Sequence, residues 1–152
     1  SQYCMHLEEV AICEKSSATP AQLLQLAQNY PSLHTISLCN PFFYTDAFVI
    51  GLAQRCTNLH SFSLAIEVVV NTTDITDASL LALSEHCPKL QELQLQYCTQ
   101  ITEAKVLQLV QQCKHLNFLA IPATVLSEDT VFGVPFKEKI KISSFIMYTF
   151  DR

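Results

Sequence analysis

The chain predicts an α/β fold wound as a solenoid: a curved horseshoe segment of about five repeats plus a C-terminal cap, parallel strands inside and helices outside. Three observations predict it. An aliphatic frame, L-x-x-L-x-L, recurs as Leu7/Val10/Ile12, Leu33/Ile36/Leu38, Leu59/Phe62/Leu64, Leu90/Leu93/Leu95 and Leu116/Leu119/Ile121, with first residues 26, 26, 31 and 26 positions apart. Periods of this length mark stacked supersecondary units. A hydroxyl holds the same phase (Thr19, Thr45, Thr76, Thr102, Ser127) and precedes each helix-like run, where an N-cap stabilises its helix by about 1 kcal/mol. Finally, the short strand and the single helix of each unit cannot bury their apolar faces alone, and stacking solves this by pairing each strand in parallel with the next.

The units run over about 4–29, 30–55, 56–86, 87–112 and 113–131, and the cap over 132–152. In the first, Leu7 to Ile12 reads as the strand and Pro20 to Gln28 as the helix, with proline at the first helical position and Gln22 completing a capping box after Thr19. An apolar first unit with no polar cover, and no initiator methionine, is what the C-terminal piece of a longer protein would show. The second unit carries an aromatic cluster, Asn40-Pro41-Phe42-Phe43-Tyr44, on its strand-to-helix loop. The third is five residues longer in the same loop, where Ile66-Glu67-Val68-Val69-Val70-Asn71 stands. The fourth is the regular one, with a strand expected over Glu92 to Gln96 and a helix over Glu103 to Gln112. The fifth has a shortened helix after Ser127. Asp46, Asp77, Glu103 and Glu128 follow the capping hydroxyls, where negative charge suits the positive end of the helix dipole. In the tail, Lys137 to Ile142 alternates polar and apolar residues and Phe145 to Phe150 is a second strand candidate. The tail's lysines would repel further pairing at an open edge.

At 152 residues the chain suits one domain, and 49% hydrophobic with 15% charged residues excludes a disordered chain. No apolar run reaches the roughly 18 residues of a membrane span, and the N-terminus has no signal-peptide pattern. A net charge of −5 argues against nucleic acid or an anionic membrane as partner. Two glycines, Gly51 and Gly133, stand in no phosphate-cradling motif, and no cofactor is expected.

Of seven cysteines, Cys4, Cys56, Cys87 and Cys113 share a phase that Tyr30 fills in the second unit, so the position reads as space-filling near a helix end. Zinc-type C-x₂₋₄-C spacing is absent. The odd count favours reduced thiols and a cytoplasmic or nuclear protein. Asn71-Thr72-Thr73 matches a glycosylation acceptor, a triplet common by chance. His34 and His60 share one phase, beside which no carboxylate or cysteine is expected to complete a metal set or a proton switch. His6 and His115 precede their leucines by one. No nucleophile–base–orienter set or carboxylate pair can be assembled, so an enzyme is not expected. The nearest approach is Cys39 beside His34.

The fourth unit, C-P-K-L-Q-E-L-Q-L-Q-Y-C-T-Q-I-T-E-A, resembles the cysteine-containing class of leucine-rich repeats, C-P-x-L-x-x-L-x-L-x-x-C-x-x-I-T-D. The likeness covers roughly Cys4 to Thr130. It is looser outside the fourth unit, since only Cys98 holds the second cysteine position, where Lys15, Pro41, Glu67 and Thr124 stand elsewhere. The resemblance implies the substrate-recruiting domain of an F-box/leucine-rich-repeat protein, an adaptor of cullin–RING ubiquitin ligases. Its partner would be a protein, a ubiquitination substrate, with Skp and cullin contacts made only through a segment not in this chain. The same repeats occur in related proteins without an F-box, including host-mimicking bacterial effectors, so a stand-alone regulator or effector is the alternative.

Strand side chains alternate, so the neighbours of the inward leucines line the concave surface. That surface reads Glu9/Ala11/Cys13, Thr35/Ser37/Cys39, Ser61/Ser63/Ala65, Glu92/Gln94/Gln96 and Phe118/Ala120/Pro122: acidic at one end, hydroxyl-rich in the centre, apolar at the other. These side chains either meet a partner or are solvated filler. The stronger candidate surface is the loop edge, Phe42, Phe43, Ile66, Val68, Val69, Val70 and Tyr97, which marks a binding patch if exposed. The alternative is that the long loop folds back on its own valines. Tyr44 aligns with Ile75 and Ile101 and is expected in the core.

Overall fold

The computed structural model describes residues 6–12, 17–39, 44–65, 74–96, 98–122, 124–127, 129–130 and 141–145. Strands and helices alternate: β1 (Glu9–Ile12), α1 (Pro20–Asn29), β2 (Thr35–Cys39), α2 (Asp46–Arg55), β3 (Ser61–Ala65), α3 (Asp77–His86), β4 (Glu92–Gln94), α4 (Glu103–Gln112), β5 (Phe118–Pro122) and β6 (Lys141–Phe145). The strands form one parallel sheet in chain order. Successive helices pack on one another, α1 on α2, α2 on α3 and α3 on α4. Right-handed crossovers between neighbouring parallel strands put all four on the same face of the sheet.

The register explains the spacing of the frames. Val10, Ile36, Phe62, Leu93, Leu119 and Ile142 are lateral partners in one row, and Ile12, Leu38 and Leu64 in another. Leu33, Leu59 and Leu90 are fully buried and Leu116 nearly so, all in one core with the strand aliphatics and the inner sides of the helices. Each of the last four frames opens with the same turn. The C-cap residue (Tyr30, Cys56, Cys87 or Cys113) donates its N–H to the carbonyl four residues back, and its own carbonyl accepts from the leucine three residues on. Cys56, Cys87 and Cys113 are at most 1% exposed, so their thiols fill the seam between helix ends and sheet. Tyr44, Ile75 and Ile101 are core residues, as expected.

The helix starts are joined in a way that alternation and dipole arguments do not reveal. Thr19, Thr45, Thr76 and Thr102 cap their helices, and the Thr19/Gln22 capping box is complete. The acid after a cap does more than face the dipole of its own helix, because it reaches the next unit. Asp46 accepts from the Thr76 backbone N–H at 2.8 Å, the Thr76 hydroxyl at 2.6 Å and the Ser79 hydroxyl. Asp77 accepts from the N–H and hydroxyl of Thr102, both at 2.8 Å, and Glu103 from the N–H and hydroxyl of Ser127 at 2.9 and 2.8 Å. Burial pushes the Asp46 carboxyl up, but the bonds from Ser79 and Thr76 outweigh it and hold it below the usual carboxylate range. Bonds from Thr130 and Ser127 likewise hold the exposed Glu103 carboxyl down. Ser127 also accepts from the Thr130 N–H at 3.3 Å, in cap geometry.

Three strand expectations change, the first being that β1 begins at Glu9 rather than Leu7, after Glu8, whose carbonyl accepts from the N–H groups of both His34 and Thr35. β4 ends at Gln94 rather than Gln96, because Leu95, while donating to the Ala120 carbonyl at 2.7 Å, turns its own carbonyl back to accept from Cys98. In the tail the strand is Lys141–Phe145, straddling both sequence candidates, because parallel pairing along the whole of β5 sets its bounds. Lys141 is thus on the last strand of the described sheet, and Lys137 and Lys139 lie outside the described residues.

The sheet face as candidate interaction site

The face opposite the helices carries the residues that alternate with the core rows. Lateral pairing sets Glu9, Thr35, Ser61, Glu92, Phe118 and Lys141 in one row and Ala11, Ser37, Ser63, Gln94, Ala120 and Ser143 in the next. The structure therefore brings Glu9, Thr35, Ser37, Ser61, Ser63, Glu92, Gln94 and Phe118 together as expected, while Gln96 lies past the end of β4 and Cys13 outside the described residues. Glu9 and Glu92 are exposed, and Thr35, Ser37, Ser61, Gln94, Gln96 and Phe118 half-buried. Ser63 departs from expectation at 8% exposed. Its short side chain stands on an inner strand between Ser37 and the longer Gln94. Ala120 and Pro122 are buried as well, so the apolar end of the face presents Phe118 alone among the expected β5 residues. With β6 paired along its whole length, β5 is an inner strand, and a methyl flanked by Phe118, Pro122 and Gln94 has little access to solvent. The loop-edge residues Phe42, Phe43, Ile66, Val68, Val69, Val70 and Tyr97 all lie outside the described residues.

A third row, of which sequence reasoning found only the shared phase of His34 and His60, borders the face at the strand starts: Glu8, His34, His60, Gln91 and Asn117. The carbonyls of Glu8, His34, His60 and Gln91 each accept two N–H groups from the following unit, such as His60 N at 2.7 Å and Ser61 N at 2.9 Å on His34. Glu8 does hold the phase of the two histidines, contrary to the expectation that no carboxylate shares it, and its Oε2 lies 3.5 Å from His34 Nε2. The signal was legible, since Glu8 follows Leu7 as His34 follows Leu33, but it shows only when the whole column is compared rather than the histidines alone. His34 Nδ1 lies 3.0 Å from the Thr35 hydroxyl. The His34 and His60 rings meet edge to face with centroids 5.4 Å apart, and His60 Nδ1 is buried without a partner among the described residues.

No group of three or more His, Cys, Asp or Glu among the described residues could hold a metal. Burial, helped by the neighbouring thiols Cys56 and Cys113, pushes Cys87 up to about 12, and burial pushes Cys56 and Cys113 to about 11, which suppresses the thiolate. Cys39 and His34 stand at opposite ends of β2, about 16 Å apart at 3.3 Å per residue, beyond any proton transfer. No lysine or arginine occurs in β1 to β5 or at the position before each of these strands, whereas Glu8, Glu9 and Glu92 do. Ser61 donates to Glu92 at 3.3 Å. Among the described residues no helix is long and apolar enough to cross a membrane. No protein-family model matches the chain, and no curated protein matches it.

Proposed function

We propose that the chain is a protein-interaction module without catalytic activity, a leucine-rich-repeat solenoid of the cysteine-containing class that works in the cytoplasm or nucleus. In this reading it is the substrate-recruiting part of an F-box-type adaptor of a cullin–RING ubiquitin ligase, and the exposed sheet face receives the substrate. The observation that carries the reading is the lateral row Glu9–Thr35–Ser61–Glu92–Phe118, a polar, low-relief strip held on backbone hydrogen bonds with an aliphatic core beneath it. Such a strip offers shape and hydrogen bonds rather than a reaction centre. The motif likeness of the fourth unit supports the ligase assignment by analogy alone.

The test is photo-crosslinking from a benzophenone amino acid at Thr35 or Ser61, with the same probe at Gln25 on exposed α1 as control. The reading expects a protein adduct from the sheet positions and none from Gln25, with Skp-type adaptor and cullin co-purifying from the longest chain expressed. Adducts without those subunits favour the stand-alone regulator or effector. Adducts from Gln25 alone overturn the face.

A further inference from the structure

We propose that the sheet face from β1 to β4 docks an extended cationic segment of a partner protein carrying two basic side chains about four residues apart, one at Glu8 and Glu9 and an arginine at Glu92 and Phe118. The proposal rests on the interaction-module reading and deepens it by naming the partner's chemistry.

Charge comes first. The carboxylates on this face are exposed, and the cation of their row, Lys141, stands on β6 beyond Phe118, two strands from Glu92 and five from Glu9. Glu9 has no hydrogen bond or ion pair among the described residues. Glu8, 63% exposed, has only the His34 ring at 3.5 Å, and Glu92 only the Ser61 hydroxyl. Between the two acidic ends lie Thr35, Ser37 and Ser61, short side chains that let a backbone approach and supply hydroxyls to it.

Spacing comes second. β1 and β4 are separated by three ladder steps, about 14 Å at about 4.8 Å each. An extended chain crossing the strands covers that span in about four residues. A helix rising 1.5 Å per residue would need about nine. The face therefore selects an extended segment with charges four apart, and a mismatched spacing leaves one carboxylate unanswered.

The two ends also differ. Glu92 is the lateral partner of half-buried Phe118. A guanidinium there can pair with the carboxylate and stack on the ring, which a lysine does less well. No aromatic stands beside Glu9, where Thr35 is the partner, so either cation suits that end.

The experiment is fluorescence anisotropy of labelled Gly/Ser peptides with the full chain. The core is Arg-Thr-Ser-Thr-Arg, with a control of the same composition and adjacent arginines, another with glutamates in place of arginines, and two in which one arginine at a time becomes lysine. The spaced peptide should bind about fivefold tighter than the adjacent one, the worth of one exposed charge pair. The two lysine peptides should differ about threefold, reflecting the single aromatic end. Affinity should fall as salt rises to about 150 mM. Glu92→Gln should weaken binding about fivefold with an unchanged melting temperature. Equal affinity for spaced and adjacent arginines, better binding of the glutamate peptide, or no effect of Glu92→Gln at unchanged stability overturns the proposal. So does a dimer in sedimentation that Ser61→Arg dissociates, which assigns the face to a second copy. If the peptides fail while crosslinking from Ser61 still captures a protein, this proposal falls and the interaction-module reading stands. If crosslinking fails as well, both fall.

Discussion

Helix α3 and helix α1 each have ten residues, a threonine cap, and a C-cap that closes the same turn, yet they are held differently. α3 buries Ser79, Leu80, Ala82, Leu83 and Ser84, whereas α1 buries only Leu23 and Ala27. α3 lies between α2 and α4, while α1 has α2 as its one neighbouring helix among the described residues. The caps differ in the same sense. Thr19 is closed within its own helix by Gln22, whereas the N–H and hydroxyl of Thr76 are taken by Asp46 of the preceding unit. An inner unit thus depends on its neighbours for packing and for hydrogen bonds, and the first described unit is more self-contained. That coupling is what lets short strands and ten-residue helices, marginal alone, form one cooperative body.

The contrast can be broken most directly in the core. Phe62→Ala, at a fully buried position in the inner row, should lower unfolding stability by about 3–5 kcal/mol. Val10→Ala, in the same row but half-buried on the end strand, should lower it by about 1 kcal/mol. Urea titrations of both variants test this, and equal losses would mean that the end strand is as deeply covered as the middle.

Next is the cysteine seam. Cys87→Ser should cost about 2 kcal/mol, because a hydroxyl replaces a thiol whose nearest acceptors, the carbonyls of Cys56 and Ala53, are at 3.6 and 3.8 Å. Cys87→Ala should cost less. Iodoacetamide should leave Cys56, Cys87 and Cys113 unlabelled in native protein and label them in urea, since burial holds all three thiols protonated.

The carboxylate links come third. Asp46→Asn should cost about 1–2 kcal/mol at neutral pH, against about 1 kcal/mol for Gln22→Ala, which breaks a cap contained within one unit. The Asp46 carboxyl is held below its unfolded value, so its contribution is fully present above about pH 4 and is lost as pH falls through the lowered folded value. Wild type and Asp46→Asn should therefore converge in melting temperature on acidification. A gap that stays constant down to about pH 2 would remove the carboxylate from the account.

The smallest effect is at the junction of the two regions. A Cβ on Gly51 would meet Leu24 Cδ2 and Arg55 Nη1, both at 3.2 Å, and each is the end of a movable side chain. Helix propensity favours alanine by up to about 1 kcal/mol. Gly51→Ala should therefore be mildly stabilising in thermal melts, and a clear loss would show that α1 is seated on α2 too rigidly to give.

Much of the architecture is local. The leucine frames, the hydroxyl before each helix and the C-cap column share one period, and each reports a preference that a few neighbouring residues satisfy. That is why α4 has the expected bounds and the four described caps are the expected threonines. The candidate face was legible as a list for the same reason, because alternation along a strand assigns sides. Its exposure was not. Ser63, Ala120 and Pro122 have the same alternation as Thr35 and Glu92 but are buried.

Period, caps and strand sides are thus written along the chain, because each depends on residues a few positions apart. The bounds of β6, the reach of Asp46, Asp77 and Glu103 into the next unit, and the line from Glu8 through His34 to His60 depend on groups about a full unit apart. Such partners meet only when the strands settle in register. Lateral hydrogen bonding between whole units therefore decides them, and no local preference can.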